Sequence, residues 1–300
     1  MAWLKRLFGE KPRAASGKTF AIWIVTPPDY HHSRCFEEVA LALQSGFRAL
    51  GHDASISTAP PPYGLPTIVL GSNLLDRIDP ASYRGKDLTL FNLEQIYVGS
   101  PWLTTSYVDL LRQYPVWDYS DRNIAELRRL DIQNVAKCGI GYAPELSRIE
   151  PQEEDIDVLF VGIRSDRRAA IVEDLARNGV NVTVASDCYG EERDALVARS
   201  KVILNVHYYD ARVFEIVRVS YMLANRKCVV SETGLDPALE APFASGVVFA
   251  PFERVVASCL GVLQDSDWRE RVAQRGFELF RAMPQSAMIA SALASTARGP

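Results

Sequence analysis

Residues 157–168 read DVLFVGIRSDRR, and the organisation of the chain follows from them. Asp157–Val161 is read as a strand whose apolar run, Val158–Val161, has the pattern of a buried parallel strand. Gly162 ends it, and Asp166–Asn178 reads as the helix that follows. A strand that passes through glycine into a helix is half of a βα unit, the building block of an open parallel sheet. The same turn suits an anion. Gly162 lets backbone approach a ligand, and a helix start offers free N–H groups. Arg164, Arg167 and Arg168 carry guanidinium groups that pair with phosphate oxygens. The competing reading is a solvated helix start in which Arg168 pairs with Glu173 or Asp174. Neither a full GxGxxG nor a Walker A pattern is present.

The alternation extends both ways. Towards the C-terminus, strands are predicted at Val182–Ala185, Val202–Val206, Cys228–Ser231 and Val247–Phe249, with helices at Glu191–Arg199, Val213–Ala224 and Phe252–Leu263. Two amphipathic helices, Ser266–Arg281 and Gln285–Ser295, close the chain. Towards the N-terminus, strands are predicted at Phe20–Val25, Ala54–Ile56, Thr67–Leu70, Leu88–Asn92, Pro115–Asp118 and Asn134–Lys137. Helices fall at Arg34–Leu50, Ser106–Gln113 and Arg122–Leu130, with Ser33 and Ser120 as caps and Gly51 as a stop. Between the two series lies GIGYAPELSRIEPQEED, residues 139–155, whose glycine, proline and acid suit a linker. The expected class is α/β, with two Rossmann-like halves facing a cleft. One spans 18–145 and the other 151–265, with helices over 266–300 and a basic segment over 1–17.

Composition narrows the function. The chain has 300 residues, 48% of them apolar and 23% charged, which are globular values. A net charge of −4 with both signs scattered argues against a nucleic-acid partner. The five cysteines lie far apart without a CxxC pair, and read as buried thiols in a reducing compartment. The four histidines show no HxxxH spacing, so a structural metal is not expected. No run of about 18 apolar residues marks a membrane span. Residues 1–11 mix Trp3, Leu4, Leu7 and Phe8 with basic side chains, which suits a frayed terminus or a peripheral membrane contact. The expected location is cytoplasmic, with that contact at the inner face of the membrane.

In open α/β sheets ligands bind outside the carboxyl ends of strands, so the residues there are the candidates. Asn205-Val206-His207-Tyr208-Tyr209-Asp210 leads to Arg212, Glu215 and Arg218. Glu215, expected in a first helical turn, can accept two hydroxyls of a ribose or sugar, and Arg218 shares its face. The alternative is a helix-start acid in a local ion pair, with His207 a core histidine. Ser231 and Glu232 end the next strand. In the first half, Tyr30-His31-His32-Ser33 stands at the mouth of the first strand, where a histidine can act as a general base. Asn92-Leu93-Glu94-Gln95-Ile96 and Asp118-Tyr119-Ser120 end two more strands. Asp118 and Ser120 are read equally as caps of the following helix.

With these residues placed, DVLFVGIRSDRR and VILNVHYYDARVFEIVRVSYMLANRKCVVSE resemble the donor-binding half of GT-B glycosyltransferases of the bacterial kind. YHHSRCFEEVA, FNLEQI, VWDYSDRN and GIGYAPEL resemble the acceptor half, and the likeness runs over about residues 18 to 285. The resemblance implies metal-independent transfer of a sugar from a nucleotide-sugar donor to a hydroxyl of a glycan or other acceptor, in surface polysaccharide or glycoconjugate synthesis, without a further cofactor. It implies donor contacts from Gly162, Arg164, Arg168, His207, Tyr208, Glu215, Arg218, Ser231 and Glu232. It implies acceptor contacts from Tyr30, Ser33, Gln95 and Asp118, and a base among His31, His32 and Glu94. Many retaining relatives carry a second glutamate after seven intervening residues, where this chain has Leu223. That departure keeps two rivals in play: a non-catalytic nucleotide-sugar-binding module and a nucleotide-sugar epimerase.

Overall fold

The structure, a computed structural model, describes residues 17–296. Strands β1 (Thr19–Ile24), β2 (Asp53–Ser57), β3 (Thr67–Leu70), β4 (Leu88–Asn92), β5 (Val116–Asp118) and β6 (Val135–Lys137) build one sheet, ordered β2-β1-β3-β4-β5-β6. A second sheet joins β7 (Ile156–Val161), β8 (Val182–Ala185), β9 (Ser200–Asn205), β10 (Cys228–Glu232) and β11 (Val248–Ala250), ordered β11-β10-β9-β7-β8. All pairings within both sheets are parallel. Parallel strands need crossovers, which bury both faces of each sheet and explain why β3 is buried throughout and the middle of β9 is apolar. Strand order reverses at β1/β3 and at β7/β9, so two crevices open at the carboxyl ends of those strands.

The crossovers are α1 (Glu37–Ala49), α2 (Thr105–Gln113) and α3 (Asp121–Arg129) in the first half. The second half has α4 (Asp166–Arg177), α5 (Gly190–Ala198), α6 (Ile216–Ala224), α7 (Pro237–Glu240), α8 (Val255–Gln264) and α9 (Ser266–Arg281). One apolar core runs through both halves, from Phe20 and Phe47 to Ile203, Phe214 and Phe280. Separate cores fill the outer face of each sheet, around Trp23 and Leu111 and around Phe160 and Val262. The last helix, α10 (Gln285–Thr296), returns to the first half. The buried Gln285 accepts from Gly141 N–H at 2.6 Å and donates its own N–H to Tyr142 O at 2.8 Å, which seats Ile289 against α1.

Three expectations need correction. Ser33 does not cap a helix: its hydroxyl donates to Val25 O at 2.7 Å, a 3-10 turn covers His31–Phe36, and α1 starts at Glu37. The helix predicted from Val213 starts at Ile216, because the Gln95 side chain holds Val213 in a reciprocal pair, Nε2 to Val213 O at 3.0 Å and Val213 N–H to Oε1 at 3.2 Å. Cys35 is exposed, whereas the other four thiols are buried. Ser120 does cap α3, accepting from Asn123 N–H. Among the described residues no helix is long and apolar enough to cross a membrane. The proposed peripheral contact at residues 1–11 lies outside the described residues.

Candidate functional site

Gly162 follows β7 with φ of +146°, a backbone state in which a side chain is strained. Ser165 caps α4 by accepting from Arg168 N–H, and Arg168 therefore stands in the first turn. Its side chain folds inward. Nε donates to Val206 O at 2.9 Å and Nη1 to Ile163 O at 2.8 Å, leaving the residue 4% exposed. Arg218 reaches the same spot from α6. A Cβ on Gly162 would stand 2.8 Å from Arg218 Nη1 and 3.7 Å from Arg168 Nη1. Two guanidinium groups thus converge over bare backbone at the β7/β9 switch point.

A carboxylate accompanies them. Glu215, immediately before α6, accepts from Asn205 Nδ2 at 2.9 Å and lies 3.0 Å from His207 Nδ1 through Oε2. Its Oε1 is buried without a partner. Burial pushes this carboxyl up, but His207, Arg218 and Asn205 outweigh burial and hold it at about 2. Burial first, and then Arg218, lower Arg168 to about 10, and burial lowers Arg218 as well. Both guanidiniums stay charged at neutral pH. Two cations beside one anion leave a positive, partly desolvated spot.

The facing wall comes from the first half. Leu93, Glu94 and Gln95 follow β4, Tyr30 and His32 follow β1, and Trp102 lies in the next loop. Burial raises Glu94 to about 7, opposed by a 3.3 Å hydrogen bond from Asn73 Nδ2. Burial likewise raises Tyr30 to about 12. These two walls enclose a cavity of about 300 Å³, within the range of ligand sites. Side chains bridge it: Trp102 Nε1 donates to Tyr209 Oη at 2.8 Å, and His32 Nδ1 lies 2.9 Å from Asp187 Oδ1 and 3.1 Å from Tyr189 Oη. Deeper, Arg193 of α5 grips Glu38 of α1 with bonds of 3.0 and 2.8 Å, and both are buried.

Solved structures with the same architecture include a glycosyltransferase. The one from Rickettsia africae matches with a TM-score of 0.58 at 9% identity, covering 95% of this chain and 99% of that one. Anabaena Alr3699/HepE in complex with UDP-glucose matches with a TM-score of 0.60 at 11% identity, covering 92% and 99%. The fold is GT-B. By sequence, the chain is similar to "Uncharacterized protein L140" of Acanthamoeba polyphaga mimivirus, 28% identical over 191 residues, which span 60% of each protein. No family model matches.

On this GT-B frame the cavity gathers Gly162, Arg168, Tyr208, Glu215 and Arg218 on one side and Tyr30, His32, Glu94 and Gln95 on the other. Arg168 does not pair with Glu173 or Asp174, since its donors go to backbone carbonyls. Other candidates stand elsewhere. Arg164 and His31 are exposed and off the cavity wall, because the turn after Gly162 and the 3-10 turn face them to solvent. Ser33 is consumed by Val25 O. Asp118 is fully buried, accepting from Asn92 Nδ2, Asn123 Nδ2 and Ser120 N–H, so it braces the β4 and β5 ends behind the cavity. Ser231 and Glu232 are buried as well. Ser231 accepts from Asn205, while Glu232 pairs with Arg167 and accepts from His207 N–H. His207 is 0% exposed and sits behind Glu215. Sequence reasoning missed Trp102, Asp187, Tyr189 and Arg193, all on the cavity wall. The strand-end rule points to Asp187 and Tyr189, which follow β8, while nothing in the sequence around Trp102 signals it.

Proposed function

We propose that the chain is a glycosyltransferase that moves a sugar from a nucleotide-sugar donor to an acceptor hydroxyl. The convergence of Arg168 and Arg218 over Gly162, with Glu215 beside them, carries this reading. Two guanidiniums in a desolvated spot match a diphosphate, and the glycine admits it against backbone. The UDP-glucose complex of the Anabaena protein, which shares this fold, supports a nucleotide sugar as the ligand. Glu215 Oε1, buried and unpartnered, accepts a ribose or sugar hydroxyl.

In the reaction the acceptor oxygen bonds to the anomeric carbon as the bond from that carbon to the diphosphate breaks. The diphosphate leaves with the electron pair, and Arg168 and Arg218 stabilise its growing charge, the role a metal fills at other sites. The acceptor proton passes to Glu94, whose burial sets it near neutral and so suits it to the task. Tyr30, Gln95 and Trp102 border the acceptor. That acceptor is proposed as a glycan or other hydroxyl-bearing component of a surface polysaccharide or glycoconjugate.

Arg168→Ala and Glu215→Ala test the assignment in an assay of nucleotide release from donor with acceptor present. Both lose transfer if the reading holds; unchanged transfer in both overturns it. Leu223, where many retaining relatives have glutamate, is wholly buried, which gives the silent binding module its one support. Such a module binds donor without consuming it, and an epimerase isomerises donor or releases nucleotide without acceptor.

A further inference from the structure

The segment from Val206 to Glu215, between β9 and α6, belongs to the second half, yet side chains of the first half hold it. Trp102 Nε1 donates to Tyr209 Oη at 2.8 Å. Gln95 makes its reciprocal pair with the Val213 backbone at 3.0 and 3.2 Å. Tyr97, also of the first half, has its ring 6.0 Å from that of Tyr209. The segment has no helix or strand of its own. Arg212 within it has φ of +44°, a left-handed state that a residue other than glycine keeps only where its surroundings impose it.

This segment carries parts of the donor side of the cavity. The rings of Tyr208 and Tyr209 meet edge-on with centroids 4.9 Å apart. The Arg168 guanidinium lies over Tyr208, 5.1 Å from the ring centre, within reach of a cation–π attraction. Tyr208 is 44% exposed, so burial alone does not fix its ring, and the contact with Tyr209 steadies it. One unbroken series of contacts thus leads from Trp102 through Tyr209 and Tyr208 to Arg168. A second leads from Gln95 to Val213 and along two backbone links to Glu215.

Resting on the donor-binding reading above, we propose that Trp102 and Gln95 are positioning residues for the donor. The first half, which forms the acceptor wall, sets the places of Arg168 and Glu215 by clamping the segment that joins β9 to α6. Trp102 acts through the two tyrosines. Gln95 is 5% exposed and spends both ends of its amide on Val213, so it acts through the segment and not by touching the ligand. Coupling of this kind is reciprocal: if the bridges favour donor binding, a bound donor tightens the bridges.

Calorimetric titration of the full chain with UDP-glucose, GDP-mannose and dTDP-glucose, beside melting curves, tests this. Trp102→Phe removes the indole N–H and keeps a ring, and Tyr209→Phe removes only the oxygen that accepts it. Each should weaken donor binding by about 2- to 12-fold, the range for one neutral hydrogen bond. The double variant should lose no more than either single one, because one shared bond is at stake. Gln95→Leu, which gives up two bonds, should lose more. Wild-type affinity in Trp102→Phe and Tyr209→Phe, whatever their melting temperatures, makes the bridge structural only and overturns the proposal while the donor reading stands. Losses that add in the double variant show that each ring touches the donor by itself, and overturn it too. Binding of none of the three donors by the wild type overturns both readings. If Gln95→Leu does not fold, amide exchange in the wild type decides the part of Gln95. The Val213 N–H, held by Gln95 Oε1, must exchange more slowly once donor is added, and an unchanged rate refutes the coupling.

Discussion

Gly162→Ala separates backbone strain from damage to the anion site. The position has φ of +146°, and the new methyl would stand 2.8 Å from Arg218 Nη1 and 3.6 Å from Phe160 Cζ. Strain at such a φ costs about 1–3 kcal/mol. At about 2–4 °C per kcal/mol, the melting temperature falls by several degrees. The second cost is local: the methyl displaces the Arg218 guanidinium from its place beside Asn205 Oδ1 and from the cavity. A charge-assisted hydrogen bond is worth about 1.5–3 kcal/mol, so donor affinity falls about 10- to 150-fold. Gly179→Ala is the control. Gly179 has φ of +80° with nothing within 4 Å of an added Cβ, so it suffers strain alone. Calorimetric titration with UDP-glucose and thermal melting of both variants are the assays. If Gly162→Ala binds donor as the wild type does, or if Gly179→Ala loses equal affinity, the placement of the diphosphate over Gly162 is refuted.

Glu94→Gln lowers the transfer rate by about 10²- to 10⁴-fold and leaves donor affinity unchanged, because the base touches only the acceptor. Steady-state kinetics with donor titration checks this, and a wild-type rate that does not rise as pH passes through about 7 contradicts it. The same carboxyl affects stability. Its folded setting is raised to about 7, so its contribution is full below its ordinary value of 4.5 and is lost as pH rises through about 7. Melting curves of Glu94→Gln across that window are flatter than those of the wild type. Glu38→Ala strips the buried Arg193 of its bidentate partner and destabilises by about 3–5 kcal/mol, read by denaturant unfolding; a loss below about 1 kcal/mol shows the pair to be solvated.

The strands were legible because parallel sheets covered on both faces write themselves as short apolar runs, as in Phe20–Ile24 and Val158–Val161. Local capping was also legible at Ser120, where a hydroxyl reaches only three residues along the chain. What eluded the sequence is what distant residues decide. Gln95 holds Val213 extended from 118 positions away and delays α6, which moves Glu215 from the first helical turn to the position before it. Arg164 and Arg168 look alike on paper. Only the carbonyls of Ile163 and Val206 select Arg168 to turn inward. Glu38 reads as an ordinary first-turn acid, and its buried role appears only when α5 brings Arg193 across the cleft. Polar strand ends located the cavity, but Asp118, Ser231 and Glu232 brace its walls from behind.

The central claim is that Arg168 and Arg218 grip the diphosphate of a nucleotide sugar. Phosphorus-31 NMR of UDP-glucose, titrated with the full chain, observes those two phosphorus atoms directly. Both resonances should shift or broaden with the wild type and remain at their free positions with the Arg168→Ala, Arg218→Ala double variant. Signals that move equally with the double variant, or that stay put with a wild type shown by calorimetry to bind the donor, would place the diphosphate somewhere else.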